Sequence, residues 1–187
     1  MRFDHHAFPL ELVNERPTPK RLLDAEISAL ADLEPEAGWQ PWQGDDWTYP
    51  VTTLPALEAV QAAKEQSPEA SEALDLALRR ALFAESRCIS LRSVILEVAA
   101  ENDGVDADAL AEALDEGRAR RAVMDDFAEA KGDTVQGSPH LFLPGGKDVH
   151  NPGIEMHWEG EKEEGALVVE WDRPDVYADL LREASAR

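Results

Sequence analysis

Val135-Gln136-Gly137-Ser138-Pro139, running on through His140-Leu141-Phe142-Leu143 to Pro144-Gly145-Gly146, is the stretch on which the fold reading turns. Apolar and aromatic residues over 135–143 make a candidate strand, and Pro-Gly-Gly turns the chain back. A second extended stretch, Ala166 to Trp171, follows the charged turn Gly160 to Gly165. Asp172 and Pro174 then open a terminal helix carrying Val176, Tyr177, Leu180 and Leu181.

Upstream the pattern changes period. From Thr53 to Lys131 it is helical throughout, in five segments. Pro55 suits a first helical turn, and Ser67-Pro68-Glu69 combines an N-cap, a proline at the first position and a carboxylate at the positive end of the dipole. Leu74, Leu78 and Leu82 form one stripe. Ser90 is expected to cap the helix of Leu91, Val94, Ile95 and Val98, which stops at Gly104. Asp106 opens the next, through Leu110 and Leu114 to Gly117. Arg118 to Lys131 follows, with Val123, Met124, Phe127 and Ala130 expected inward. The segments differ in length and sequence, so they are no repeat array.

Before this module, Phe3 to Leu12 reads as a strand with Pro9 at its edge, and Arg21 to Leu33 as a helix ending before Pro35. The order is strand, helices, strand, strand, helix: α/β or α+β with a helical insertion.

Composition narrows the function. The 187 residues carry 39 acidic and 18 basic side chains, a formal charge of −21, with 43% hydrophobic residues. This is globular composition, and the charge disfavours nucleic acid and anionic membrane as partners. No apolar run nears 18 residues and no leader pattern opens the chain, so a cytoplasmic protein is expected. The single cysteine, Cys88, excludes an internal disulfide or a Cys-x-x-Cys pair within these residues.

Several residues together resemble the DsbA-like branch of the thioredoxin superfamily, the dithiol–disulfide isomerase or FrnE-like oxidoreductases. They are Phe8-Pro9-Leu10-Glu11, Ala81 to Ser86 with Ile89-Ser90, Val98-Ala99 with Asp106 to Leu110, Val135 to Pro139, and Asn151-Pro152-Gly153-Ile154. The resemblance implies an α/β, thioredoxin-like fold with a helical insertion domain. Residues 1–50 and 133–187 would form the thioredoxin-like part, and 51–132 the inserted helical domain. It also implies a cis bond before Pro139 and a substrate-binding loop of Gly137, Ser138, Pro139 and His140. The substrate would be a protein or a small thiol or disulfide, met without a cofactor, and a homodimer is an expected assembly.

The same resemblance places Cys-x-x-Cys at the start of a first strand–helix unit, where the helix dipole lowers a thiol pKa. This sequence opens where the second strand is expected, so the chain as given holds no catalytic residue and is expected to be redox-inactive. Two explanations stay open: a longer native protein supplies the missing unit, or a partner fills the gap in the sheet. Other readings are a non-catalytic, chaperone-like peptide-binding module and a relative of kappa-class glutathione transferases and 2-hydroxychromene-2-carboxylate isomerases.

The remaining candidates are weaker. Cys88 lies ahead of a helix but has no resolving partner. His5 and His6, as strand neighbours, would point to opposite faces. His140, His150 and His157 with Glu155 follow no recognised ligand spacing, so no metal is expected. Trp39, Trp42, Trp47 and Tyr49 form either a small core under a loop or an apolar surface.

Overall fold

The computed structural model describes residues 3–162 and 164–185. Glu163, inside the charged turn expected at Gly160 to Gly165, lies outside the described residues. The helices are α1 (Leu10–Val13), α2 (Lys20–Leu30), α3 (Leu54–Ala63), α4 (Pro68–Phe83), α5 (Arg92–Ala100), α6 (Ala107–Glu116), α7 (Arg120–Ala130) and α8 (Asp175–Ser185). The strands are β1 (His140–Phe142), β2 (Asp148–His150), β3 (Ile154–Glu159) and β4 (Ala166–Asp172).

Helices α3 to α7 form the five-segment module, and the main buried cluster lies within it, from Ala56 to Ala119. Leu74, Ile95 and Leu110 are wholly buried there, among alanines such as Ala59, Ala63 and Ala99. Local chemistry sets the helix ends. Ser67 Oγ accepts from the Ala70 N–H at 3.0 Å ahead of Pro68. Asp106 Oδ1 accepts from the N–H groups of Asp108 and Ala109, both at 3.0 Å. Gly117 ends α6 at φ +64°, a left-handed conformation that favours glycine. Ser71, 1% exposed, donates to the Val60 carbonyl at 2.9 Å and ties α4 to α3.

Helix α3 has no side-chain cap of its own. Glu11 of α1 supplies one: its Oε1 accepts from the N–H groups of Thr53 and Leu54 at 2.5 and 3.2 Å. The same carboxylate accepts from the Thr52 and Thr53 hydroxyls at 2.6 and 2.9 Å.

The segment Phe3 to Leu12 is not a strand. It runs extended to Pro9 and then turns into α1. No strand of the described residues pairs with it. Side chains of the helical module satisfy its backbone instead. The Ala7 N–H donates to Asp126 Oδ2 at 2.7 Å, and the His5 carbonyl accepts from Gln61 Nε2 at 2.7 Å. Apolar residues here mark burial, of Ala7 and Pro9, and not a ladder.

Three further expectations are corrected. Ser90 does not cap α5, whose N-cap is Leu91; its hydroxyl donates to the Thr52 carbonyl at 2.6 Å. Met124 faces outward, 48% exposed. The strand expected over 135–143 shortens to His140–Phe142, since only that part finds a partner.

Both sheets among the described residues are two-stranded and antiparallel. β1 pairs with β2, setting His140 opposite His150, Leu141 opposite Val149 and Phe142 opposite Asp148. β3 pairs with β4, with a register shift between Glu155 and Met156. Helix α2 packs on β4. No helix among the described residues is long and apolar enough to cross a membrane.

Candidate functional site

The Gly137–His140 loop leads directly into β1. The Ser138–Pro139 peptide bond is cis. Ser138 and Pro139 are exposed, and the Pro139 carbonyl accepts from the Asn151 N–H at 2.9 Å, closing the base of the β1–β2 hairpin. At the other end the Leu143 N–H donates to the Lys147 carbonyl at 2.8 Å. In an antiparallel pair such bonded positions alternate. Positions 139, 141 and 143 therefore turn their backbone toward β2, while His140 and Phe142 turn theirs away. No second strand pairs with that outer edge of β1 among the described residues.

The His140 side chain points inward and is 2% exposed. The Gln136 N–H donates to its Nδ1 at 3.2 Å. That bond requires a bare Nδ1, so the ring proton sits on Nε2 and is donated to Asp148 Oδ1 at 2.9 Å. Phe142 lies against the ring with centroids 4.4 Å apart and planes 33° apart. His150 meets it edge-on at 5.8 Å and 75°. Gly137 fits beneath His150: a Cβ there would lie 2.6 Å from His150 Nε2.

Of the four residues expected in the loop, the exposed pair Ser138 and Pro139 can meet a substrate. Gly137 gives space and His140 braces the loop from inside. Of His140's partners, Asp148 was not singled out in the sequence, and His150 was weighed there only as a metal ligand with His157 and Glu155. A usable signal existed, because positions 140 and 150 stand symmetrically about Gly145 in the Pro144-Gly145-Gly146 turn.

The other candidates do not converge here. His157 pairs with Glu170 at 3.0 Å, and Glu155 accepts from Trp171 Nε1 at 2.6 Å. His6 Nδ1 lies 2.7 Å from Asp126 Oδ1. No group of three or more His, Cys, Asp or Glu among the described residues could hold a metal ion. Cys88, partly exposed, sits in the link between α4 and α5. The aromatic segment divides. Trp42 is buried, edge-on to Tyr49 at 5.5 Å, and Trp39 meets Phe83 at 6.2 Å, whereas Trp47 is 83% exposed. Burial, with Asp24 and Glu26 nearby, pushes the Tyr49 hydroxyl up to about 12. An open groove of about 420 Å³ beside Trp39, Leu76 and Ala77 lies away from the loop.

A mixed α/β chain with a helical module ahead of a cis-proline loop defines a thioredoxin-superfamily protein with a helical insertion. Residues 46–166, well over half of the chain, match the family described as the DSBA-like thioredoxin domain, and the chain belongs to that family. No curated protein matches it.

Proposed function

We propose that this chain is the substrate-docking part of a DsbA-like, FrnE-type thiol–disulfide oxidoreductase or isomerase, and that it is redox-inactive by itself. It would hold an extended protein segment, or a small disulfide, against Gly137, Ser138, Pro139 and His140. The observation that carries this reading is the outer edge of β1. There the backbone groups of His140 and Phe142 face away from β2, beside an exposed Ser138 and a Phe142 that is 55% exposed. An extended peptide adds to such an edge through main-chain hydrogen bonds.

Thiol–disulfide exchange needs an attacking thiolate and a second thiol to resolve the mixed disulfide. The sequence holds one cysteine, Cys88, in the helical module and not at the loop. An exchanging pair would have to be supplied from outside these residues. The reading puts the protein in the cytoplasm. The charge of −21 supports a protein or small-molecule partner over nucleic acid or membrane.

The test pairs two assays on the full chain. Insulin reduction by dithiothreitol should be no faster with the chain present. Fluorescein-labelled, S-carboxymethylated insulin B chain should bind, and binding should fall when Ser138→Pro removes the N–H next to Pro139. Absence of B-chain binding sinks the docking reading, and accelerated insulin reduction sinks the redox-inactive one. The same edge also favours a second reading, a chaperone-like binder of extended segments. Equal affinity for disulfide-bearing and cysteine-free peptides would select it.

A further inference from the structure

We propose that His140, Asp148 and His150 form a positioning device that fixes the Gln136–Pro139 loop, with His140 working as a neutral ring whose proton is on Nε2. The loop's role in holding substrate rests on the reading above; the positioning itself does not.

His140 has a hydrogen-bond partner on each ring nitrogen. Its ring is almost wholly buried at the edge of a three-residue strand, yet both nitrogens are used. One accepts a backbone N–H from Gln136, four residues back across the loop. The other reaches Asp148 on the opposite strand. A single side chain thus bolts the start of the loop to the far side of the hairpin. The loop between these points carries the two exposed residues, Ser138 and Pro139, so their presentation follows from where Gln136 is held.

Gly137 and His150 supply the second constraint. The Gly137 backbone is not in the left-handed region, so the one constraint on a side chain there is the His150 ring, an exposed group that an added Cβ would push out of its place beside the loop. His150 in turn stands edge-on to His140. Loop, brace and neighbouring ring are consequently packed as one unit. Phe142 covers the remaining face of the His140 ring.

The device makes a prediction that distinguishes the two ring nitrogens. An Asn side chain places its oxygen the same number of bonds from Cα as Nδ1, whereas Gln reaches only as Nε2 does. His140→Asn should therefore keep the Gln136 bond, and His140→Gln should lose it. Measured by NMR on the full chain, Gln136 amide exchange should stay within about threefold of the parent in His140→Asn and rise about tenfold in His140→Gln, the size expected for one lost hydrogen bond. Long-range proton–nitrogen spectra should show His140 with Nε2 protonated and Nδ1 bare.

A second arm uses compensation. Gly137→Ala should weaken binding of the carboxymethylated insulin B chain about tenfold. His150→Ala in the same chain should restore it to within about threefold, because it removes the atom the new methyl meets. The proposal is overturned if His140 carries its proton on Nδ1, if the Asn and Gln variants exchange alike, or if the parent chain binds the B chain and His150→Ala gives no rescue. If the exchange and tautomer results hold while the parent chain binds no B chain, the positioning device stands and the docking reading fails.

Discussion

Glu11 and Thr53, 42 residues apart, share a double hydrogen bond in which one carboxylate takes both the N–H and the hydroxyl of the N-cap residue of α3. The first turn of the module's central helix is thereby capped by a residue outside the module. Burial alone would raise the Glu11 pKa. Hydrogen bonds from Thr52, its own N–H and Thr53 outweigh that and hold it below the ordinary 4.5.

Replacing Glu11 with Ala should therefore destabilise the protein by about 2 kcal/mol, the scale of hydrogen bonds to a charged acceptor. The pH dependence has a defined sign. A carboxyl with a depressed folded pKa adds stability that is fully present above the ordinary 4.5 and is lost as pH falls through the lower folded value. Urea unfolding of the parent and Glu11→Gln should converge toward the acid end of that window. Parallel curves down to the acid limit would contradict the assignment.

Leu74 is wholly buried at the centre of α4. Leu74→Ala should cost about 3 kcal/mol, combining lost transfer energy with the cavity left behind. Leu76→Ala on the same helix, at a site 69% exposed, should change the melt little. Circular-dichroism melts of the two variants make the comparison.

Tyr49 should ionise only near pH 12, against an ordinary 10.0. Its raised value means that the neutral hydroxyl is the form the fold favours. Its contribution is complete below the unfolded value of about 10 and is lost as pH climbs through about 12. Ultraviolet titration of the parent against Tyr49→Phe should remove this late step. An unshifted Tyr49 step would show that its burial is wrong.

Asp126 holds the extended amino-terminal segment through the Ala7 N–H and the His6 ring. Asp126→Ala should raise amide exchange at Ala7 about tenfold and lower overall stability by about 1 kcal/mol. Exchange at Leu74 should keep its rank as the slowest region, since the strap lies outside the main cluster.

The helical part was legible because its signals are local. Ser67, Asp106 and Gly117 act on backbone groups within a few residues, so the sequence displays both halves of each interaction. Ser90 misled because its hydroxyl has a competing partner, Thr52, 38 residues upstream. Phe3 to Leu12 misled for the same kind of reason: its pattern records burial, while its hydrogen bonds come from Gln61 and Asp126. Strand β3 went unnoticed although Ile154-Glu155-Met156-His157-Trp158-Glu159 alternates apolar and polar residues, the period-two signal of a strand. At the loop, Gly137 to His140 were visible as a motif. The inward turn of His140 toward Asp148 was not, because it depends on the hairpin register.

The abundance of alanine in the buried cluster affects how ordered the module is, beyond how stable it is. An alanine has no rotamer to surrender, so burying Ala59, Ala63 and Ala99 carries no side-chain entropy cost. It also leaves no alternative way to fill the same space. Cores of larger, flexible side chains can trade one arrangement for another, whereas this one has few states to exchange among. Narrow, single methyl resonances from the module across the whole range below its melt are the expected signature.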